Sequence, residues 1–202
     1  FLLLALPAFC ASTLTTVAQV LKNPDGTPFQ GTISIGLNAS CVATPDMVWR
    51  GNFTVTITSL LVSSVTVTGN TAVVTTRAAH GLSVGKSILI SGATVDADLN
   101  GTFTVATAPS ATTFSATVSS VTAGAYIEST LRVTPGFSVD LFPNNACVPA
   151  GTSYFVQYTS QGRTSQEFWI VGGTSPSTIG DVRTATAPTP SMAVAISQLS
   201  LG

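Results

Sequence analysis

Charged side chains are scarce in this sequence. Of its 202 residues, 7 are Lys or Arg and 8 are Asp or Glu, which amounts to 7%, against roughly a quarter in an ordinary soluble domain. Seven dispersed basic residues cannot neutralise a run of phosphates, so a nucleic-acid-binding protein is excluded. The hydrophobic content of 45% argues against a disordered chain, which combines low hydrophobicity with high net charge. Uncharged hydroxyl groups are expected to keep the protein soluble in place of charges, since the sequence contains 32 Thr and 23 Ser residues.

Histidine is almost absent as well. His80 is the only one, so any Ser-His-Asp or Cys-His arrangement would have to use it. It lies in an Ala-His-Gly segment that is typical of a turn entering a strand, with no partnered base nearby in sequence. The acidic residues are scattered, and nothing marks a pair such as Asp140 with Glu167 as the two carboxylates of a glycosidase. We therefore predict that the chain is not an enzyme and has no catalytic residues and no cofactor.

The sequence lacks the Cys and His spacings of a zinc site. One segment offers oxygen ligands, because Asp96, Asp98 and Asn100 match alternate positions in the first half of an EF-hand calcium loop. The twelfth position of that loop is Thr107, where a bidentate Glu is needed, and no helices are predicted around it. We therefore expect a polar turn here rather than a bound metal.

Three cysteines bear on the cellular compartment. Cys10 belongs to an apolar segment, residues 1–11, whereas Cys41 and Cys147 each follow an apparent strand. A secreted chain can oxidise the latter two to a disulfide, and we expect a secreted, cell-surface protein. As a helix, residues 1–11 would rise about 16 Å and could not cross roughly 30 Å of bilayer hydrocarbon. They are read either as a signal-peptide leader or as a retained segment that packs between subunits.

Helical periodicity is nearly missing, and alternation of apolar with polar or hydroxyl residues takes its place. Residues 54–58 and 137–141 alternate along their length, as half-buried strands do. Turn signals separate such runs, among them Gly69-Asn70, Gln161-Gly162 and Pro24-Asp25-Gly26. The sequence therefore predicts an all-β protein.

The middle of the chain, residues 62–128, is expected to form a separate unit. It contains the segments HGLSVG, ISGATVDADLNGTFTV and ATTF. On these motifs it resembles a small β-barrel module of phage tail and bacterial surface proteins, which is related to the FCCH domain of ubiquitin-activating enzymes. The resemblance implies a fold and no chemistry.

Without this insert, residues 12–61 and 129–183 remain, close to the size of an immunoglobulin-like β-sandwich of about 100 residues. The segments LKNPDGTPFQGTISI and FSVDLFPNNACVPAGTSYFVQYTSQGRTSQEFWIV resemble a β-sandwich repeat of bacterial secreted and surface proteins, as found in appendages and tail fibres. The resemblance implies a sandwich with the barrel inserted in one loop, where insertions cost little.

A terminal strand on a tether is expected after the sandwich. Residues 184–190 have the composition of an extended linker, and residues 191–202 alternate apolar with small side chains. Such a strand must pair with its own sandwich or with the sheet edge of a neighbour. The residues predicted to form its apolar contacts are Met192, Val194, Ile196, Leu199 and Leu201.

Two hypotheses for function follow. The first is a structural subunit of an extracellular filament, a homopolymer that assembles by strand donation. The second is an adhesin or tail-fibre-like module that recognises carbohydrate or a host surface. Four aromatic residues could stack on a sugar, although aromatic residues on strands more often belong to a core: Trp49, Tyr154, Tyr158 and Trp169.

Overall fold

The computed structural model describes residues 13–44, 47–49, 51–148, 150–184 and 186. Strand makes up 51% of the structure and helix 6%, so the prediction of an all-β fold is confirmed. The strands are β1 (Thr15–Gln19), β2 (Gly31–Leu37), β3 (Cys41–Thr44), β4 (Met47–Trp49), β5 (Asn52–Ile57), β6 (Leu60–Thr68), β7 (Thr71–Thr76), β8 (Ser87–Ser91), β9 (Gly101–Thr107), β10 (Thr113–Thr117), β11 (Gly124–Tyr126), β12 (Arg132–Pro135), β13 (Phe137–Leu141), β14 (Tyr154–Ser160), β15 (Arg163–Trp169) and β16 (Arg183–Thr184). One short helix, α1 (Ile179–Val182), and two 3₁₀ turns, Ala97–Leu99 and Asn144–Ala146, complete the described elements.

Six of these strands close into a barrel in the order β6-β12-β8-β9-β10-β7, with β7 returning to pair with β6, and β11 adds to β6 from outside this ring. Closure removes the free edges that an open sheet would present to other chains. β-Branched and aromatic side chains fill the interior, including Val65, Ile88, Ile90, Phe114 and Val133.

The barrel extends past residue 128. β12 pairs with β8 on one side and β6 on the other, with Val133 opposite Ile90 and Leu60. The prediction that the sandwich resumes at residue 129 is therefore wrong for residues 129–135, because a four-residue strand gives no signal of which sheet it joins. By strand pairing, the barrel spans 60–135 and the sandwich resumes at β13.

The remaining strands form two facing sheets. One has the order β16-β15-β14-β2-β5 and the other consists of β1 and β13, while β3 and β4 form a separate pair. Side chains of both sheets share one core, in which Trp169 packs edge to face on Phe137 at 5.8 Å. The first strand, β1, pairs with β13 and not with β2. That this sandwich is immunoglobulin-like in topology stays a prediction.

The two-residue turns expected from sequence lie between paired strands. Thr68 pairs with Thr71 across Gly69-Asn70, and Ser160 pairs with Arg163 across Gln161-Gly162. Gln161 and Gly162 have φ of +50° and +75°, as a hairpin turn of type I′ requires at both central residues.

Short contacts tie the barrel to the sandwich where the chain passes from one to the other. The amide of Gly136 donates to the carbonyl of Ser87 at 2.8 Å, and a Cβ at Gly136 would lie 2.7 Å from that oxygen. Beside it, Lys86 Nζ donates to Ser138 Oγ at 3.0 Å.

Both predicted terminal segments, 1–11 and 191–202, lie outside the described residues, as does most of the predicted linker 184–190. Their assignment stays a prediction.

Candidate functional site: an open sheet edge and a polar groove

The outer edge of β13 has no partner strand among the described residues. Ser177 bonds to the backbone of Thr16 and Ala18 on the far side of β1. Since hydrogen-bonded and non-hydrogen-bonded pairs alternate along an antiparallel ladder, the intervening residues of β1 face β13. By the observed register, the amide and carbonyl groups of Ser138 and Asp140 then point away from β1. No hydrogen bond to these backbone groups is found in the described part of the chain.

β5 is an edge strand of the opposite sheet, with β2 as its partner in the described structure. Its core-facing side chains become less buried along the strand, from Ile57, which is buried, to Val55 and Phe53, which are half-buried. β5 leads into the barrel and β13 leads out of it. Two of the edges that lack a partner strand in the described residues, β5 and β13, are therefore the strands that carry the insert.

A disulfide joins Cys41, at the start of β3, to Cys147, with a Cα–Cα distance of 4.9 Å. Around it, Val42 and Val148 form an antiparallel bridge, and both sulfur-bearing side chains are buried against Phe142. The two cysteines predicted to form a disulfide are therefore bonded in the structure.

A groove of about 650 Å³ lies at the other end of the sandwich. It runs between the loop after β1 and the strands β14, β15 and β16, and we name it the Tyr158 groove. Neither β5 nor β13 contributes to it, so the groove is separate from the unpaired outer edge of β13. Its lining residues are Leu21, Lys22, Asn23, Pro24, Asp25, Phe29, Tyr158, Ser160, Gln161, Arg163, Thr164, Ser165, Glu167 and Arg183.

Local hydrogen bonds build one wall of the groove from the Pro24-Asp25-Gly26 turn. The carboxylate of Asp25 accepts from the amide and the hydroxyl of Thr27, at 2.9 and 2.6 Å. These hydrogen bonds lower the pKa of Asp25, so the side chain is ionised at neutral pH. Gly26 takes φ of +83°, a conformation that glycine adopts without strain. The turn is thereby fixed by its own residues.

The floor of the groove is aromatic. Phe29 is buried and meets the ring of Tyr158 edge to face at 6.2 Å. Beneath them the strands β2 and β14 approach closely, since a Cβ at Gly31 would lie 2.0 Å from the carbonyl oxygen of Thr159.

Glu167 organises the opposite wall. Its Oε1 accepts hydrogen bonds from Tyr158 Oη at 2.6 Å and from Trp169 Nε1 at 2.7 Å. Its Oε2 binds Arg183 Nε at 2.5 Å, in the one ion pair found within the described ranges. Burial, with the added effect of the Glu167 carboxylate, raises the pKa of Tyr158 well above its usual range, and the hydrogen bond to Glu167 raises the pKa of Arg183.

The aromatic residues that were expected to form one sugar-binding surface lie in different parts of the sandwich. Tyr154 and Trp169 are fully buried in the sandwich core, whereas Tyr158 lines the groove. The side chain of Trp49 lies outside the described part of the structure. The groove itself was missed because its basic residues are far apart in sequence. The available signal was that Lys22 and Arg163 flank two predicted turns, Pro24-Asp25-Gly26 and Gln161-Gly162.

Of the three residues considered for calcium, Asp96 and Asn100 hold loops of the barrel through their side chains. Asp96 Oδ1 accepts from the amide of Asp98, and Asp96 Oδ2 accepts from the amide of Thr122. The Asn100 side chain is engaged on both sides by the backbone of Ala93. Over the described residues, no group of three or more His, Cys, Asp or Glu side chains is placed to hold a metal ion.

His80 is built into the barrel. Its ring is mostly buried, packs edge to face on Phe114 at 5.4 Å, and accepts at Nδ1 from the amide of Leu82 at 2.9 Å. Its contacts are those of a turn residue held against the barrel core.

No helix in the described part of the chain has the length and apolar character needed to cross a bilayer. No protein-family model matches the sequence, and no curated protein matches it. Among solved structures, the chain is similar to the phage phi92 endosialidase at 12% identity and a TM-score of 0.35. The similarity covers 81% of this chain and 28% of that one. A score this low supports no inference about fold or activity.

Proposed function

We propose that this chain is a structural subunit of an extracellular filament or appendage, which assembles by donation of a β-strand between neighbouring copies. The observation that carries the proposal is the outer edge of β13, where the backbone groups of Ser138 and Asp140 lack partners among the described residues. An unpaired edge of this kind is a template for a strand from another chain.

The donor is the C-terminal segment 191–202. Small residues separate Met192, Val194 and Ile196 in sequence, so an extended conformation would place these three side chains on one face. Placed beside β13, that face would lie over the half-buried side chains of Phe53 and Val55 on β5. A contact between one subunit's terminus and the next subunit's edge is heterologous, so it propagates into a fibre.

The disulfide between Cys41 and Cys147 supports an oxidising, extracellular location. In the filament, the sandwich forms the shaft and the barrel projects from it. An immunoglobulin-like topology for the sandwich and a kinship of the barrel with phage tail modules belong to the same proposal.

The assembly is tested on the full chain with two triple variants of the terminal segment. Replacement of Met192, Val194 and Ile196 by Ser removes the apolar face, and fibres seen by electron microscopy should give way to monomers. The matched control changes the opposite face, as Ala193→Ser, Ala195→Ser and Ser197→Ala, and should leave fibres intact. Fibres that persist in the first variant would contradict donation by this segment.

A second candidate function is surface recognition, as in an adhesin or a tail fibre. The Tyr158 groove favours it, because a cleft with an aromatic floor and converging polar groups is the usual form of a ligand site. Recognition and assembly are compatible, since the groove shares no lining residue with the edge strands β5 and β13.

A further inference from the structure

The Tyr158 groove gathers a large share of the positive charge of this chain. Lys22, Arg163 and Arg183 line it, and they are three of only seven basic residues in the whole sequence. In a chain with so few charges, three cations around one cleft create a local positive field that favours an anionic ligand.

The carboxylates of the groove are already engaged. Glu167 binds Arg183 and accepts from Tyr158 and Trp169, and Asp25 accepts from Thr27 within its turn. Lys22 and Arg163 are exposed and form no ion pair within the described residues. Counting all five charged side chains, the groove carries one net positive charge.

The rest of the lining is suited to a hydroxylated ligand. Hydroxyl and amide side chains from Asn23, Gln161, Thr164 and Ser165 surround the aromatic floor. Such groups exchange hydrogen bonds with sugar hydroxyls, and an aromatic surface packs against the apolar face of a sugar ring. The volume of about 650 Å³ lies within the roughly 300–1,000 Å³ typical of small-ligand sites.

We infer that the Tyr158 groove binds an acidic saccharide, a sugar chain that carries carboxylate groups. Lys22 and Arg163 receive the carboxylate, and the guanidinium of Arg163 offers the forked donor geometry that a carboxylate matches. The inference rests on the recognition function proposed above and is independent of strand donation. A nucleic acid is disfavoured because successive phosphates need a longer run of cations.

The test measures binding of the full-length protein to a tetramer of galacturonic acid by calorimetry. The same tetramer with its carboxylates methyl-esterified is the neutral comparison. We expect the acid form to bind at least tenfold more tightly, which corresponds to about 1.4 kcal/mol. Arg163→Gln and Lys22→Gln should each remove a large part of that difference. Arg77→Gln, at an exposed arginine directly after barrel strand β7, is the matched control and should bind as the unmodified protein does.

The outcomes separate the inference from the function on which it rests. Equal binding of the acid and the ester, with no effect of Arg163→Gln, would overturn the acidic ligand and leave saccharide recognition standing. Binding of neither form would remove both. Tighter binding of a single-stranded oligonucleotide than of the acid tetramer would also overturn the assignment. The Arg163→Gln variant should still form fibres, because the groove shares no lining residue with the edge strands β5 and β13.

Discussion

Glu167 lies on the core-facing side of β15, two residues from the buried Trp169, and only 15% of its side chain is exposed. A carboxylate in such a position is costly unless its oxygens find donors. Here both oxygens do, and the donors come from β14, β15 and β16. A charged group therefore occupies a position that the alternation of the strand reserves for an apolar residue, and it marks where the sandwich interior opens into the groove.

The titration of Tyr158 links the stability of the protein to pH, because Tyr158 is bound to this carboxylate. Its pKa is raised by burial first and then by Glu167, so the folded protein keeps the phenol proton at pH values where the unfolded chain has lost it, above about 10. This raised pKa contributes stability that is complete below about pH 10 and is lost as pH rises through the folded-state pKa. Urea unfolding should show the free energy of unfolding falling with pH above 10, by up to about 1.4 kcal/mol per unit.

Tyr158→Phe keeps the ring and lacks the titrating group. In this variant the fall above pH 10 should be shallower than in the unmodified protein. Parallel pH profiles for the two proteins would show that the Tyr158 proton is not linked to folding.

At the scale of the strand, local patterns determine which residues are extended but not which strands pair. The alternation of residues 137–141 predicts a strand with one apolar face, and β13 has these bounds and buries Phe137, Val139 and Leu141. Its partner, β1, lies more than a hundred residues earlier in the chain. Nothing in either segment encodes that pairing, which depends on the packing of both sheets around Trp169.

The direction of backbone groups on β13 gives a test of which edge accepts a strand. Proline lacks the amide hydrogen and is tolerated on edge strands where that amide faces outward. Ser138→Pro should therefore leave the monomer folded and prevent fibre growth. We expect circular dichroism like that of the unmodified protein, together with monomers by light scattering.

Thr54→Pro is the matched variant for the other edge. The amide of Leu37 donates to the carbonyl of Gly51, so by alternation the amide of Thr54 points away from β2. Fibres should form with Thr54→Pro. The reverse pattern, with growth blocked at Thr54 and unaffected at Ser138, would assign the acceptor edge to β5.

Across the whole molecule, the sequence predicts two β units and an insertion, but not the point at which one ends. The all-β class followed from alternation, and the hairpin at Gly69-Asn70 from turn chemistry. The closing strand of the barrel, β12, was assigned to the wrong sheet because a short strand in a nearly uniform Thr- and Val-rich chain has no distinguishing composition. The groove could not be predicted from the sequence either, because it forms only where β14, β15 and a loop distant in sequence meet.

The bond between Cys41 and Cys147 spans 106 residues of sequence, and every strand of the barrel lies between these two positions. Mechanical tension applied to the two ends of the chain therefore crosses the sulfur–sulfur bond and bypasses the barrel. When the chain is pulled, the sandwich strands outside this loop can unfold while the barrel bears no load. In single-molecule stretching, reduction of the bond should release an additional length on the order of 350 Å; the same release without reductant would contradict this load path. In the proposed filament, the barrels and any binding surface on them would therefore stay folded while shear extends the shaft.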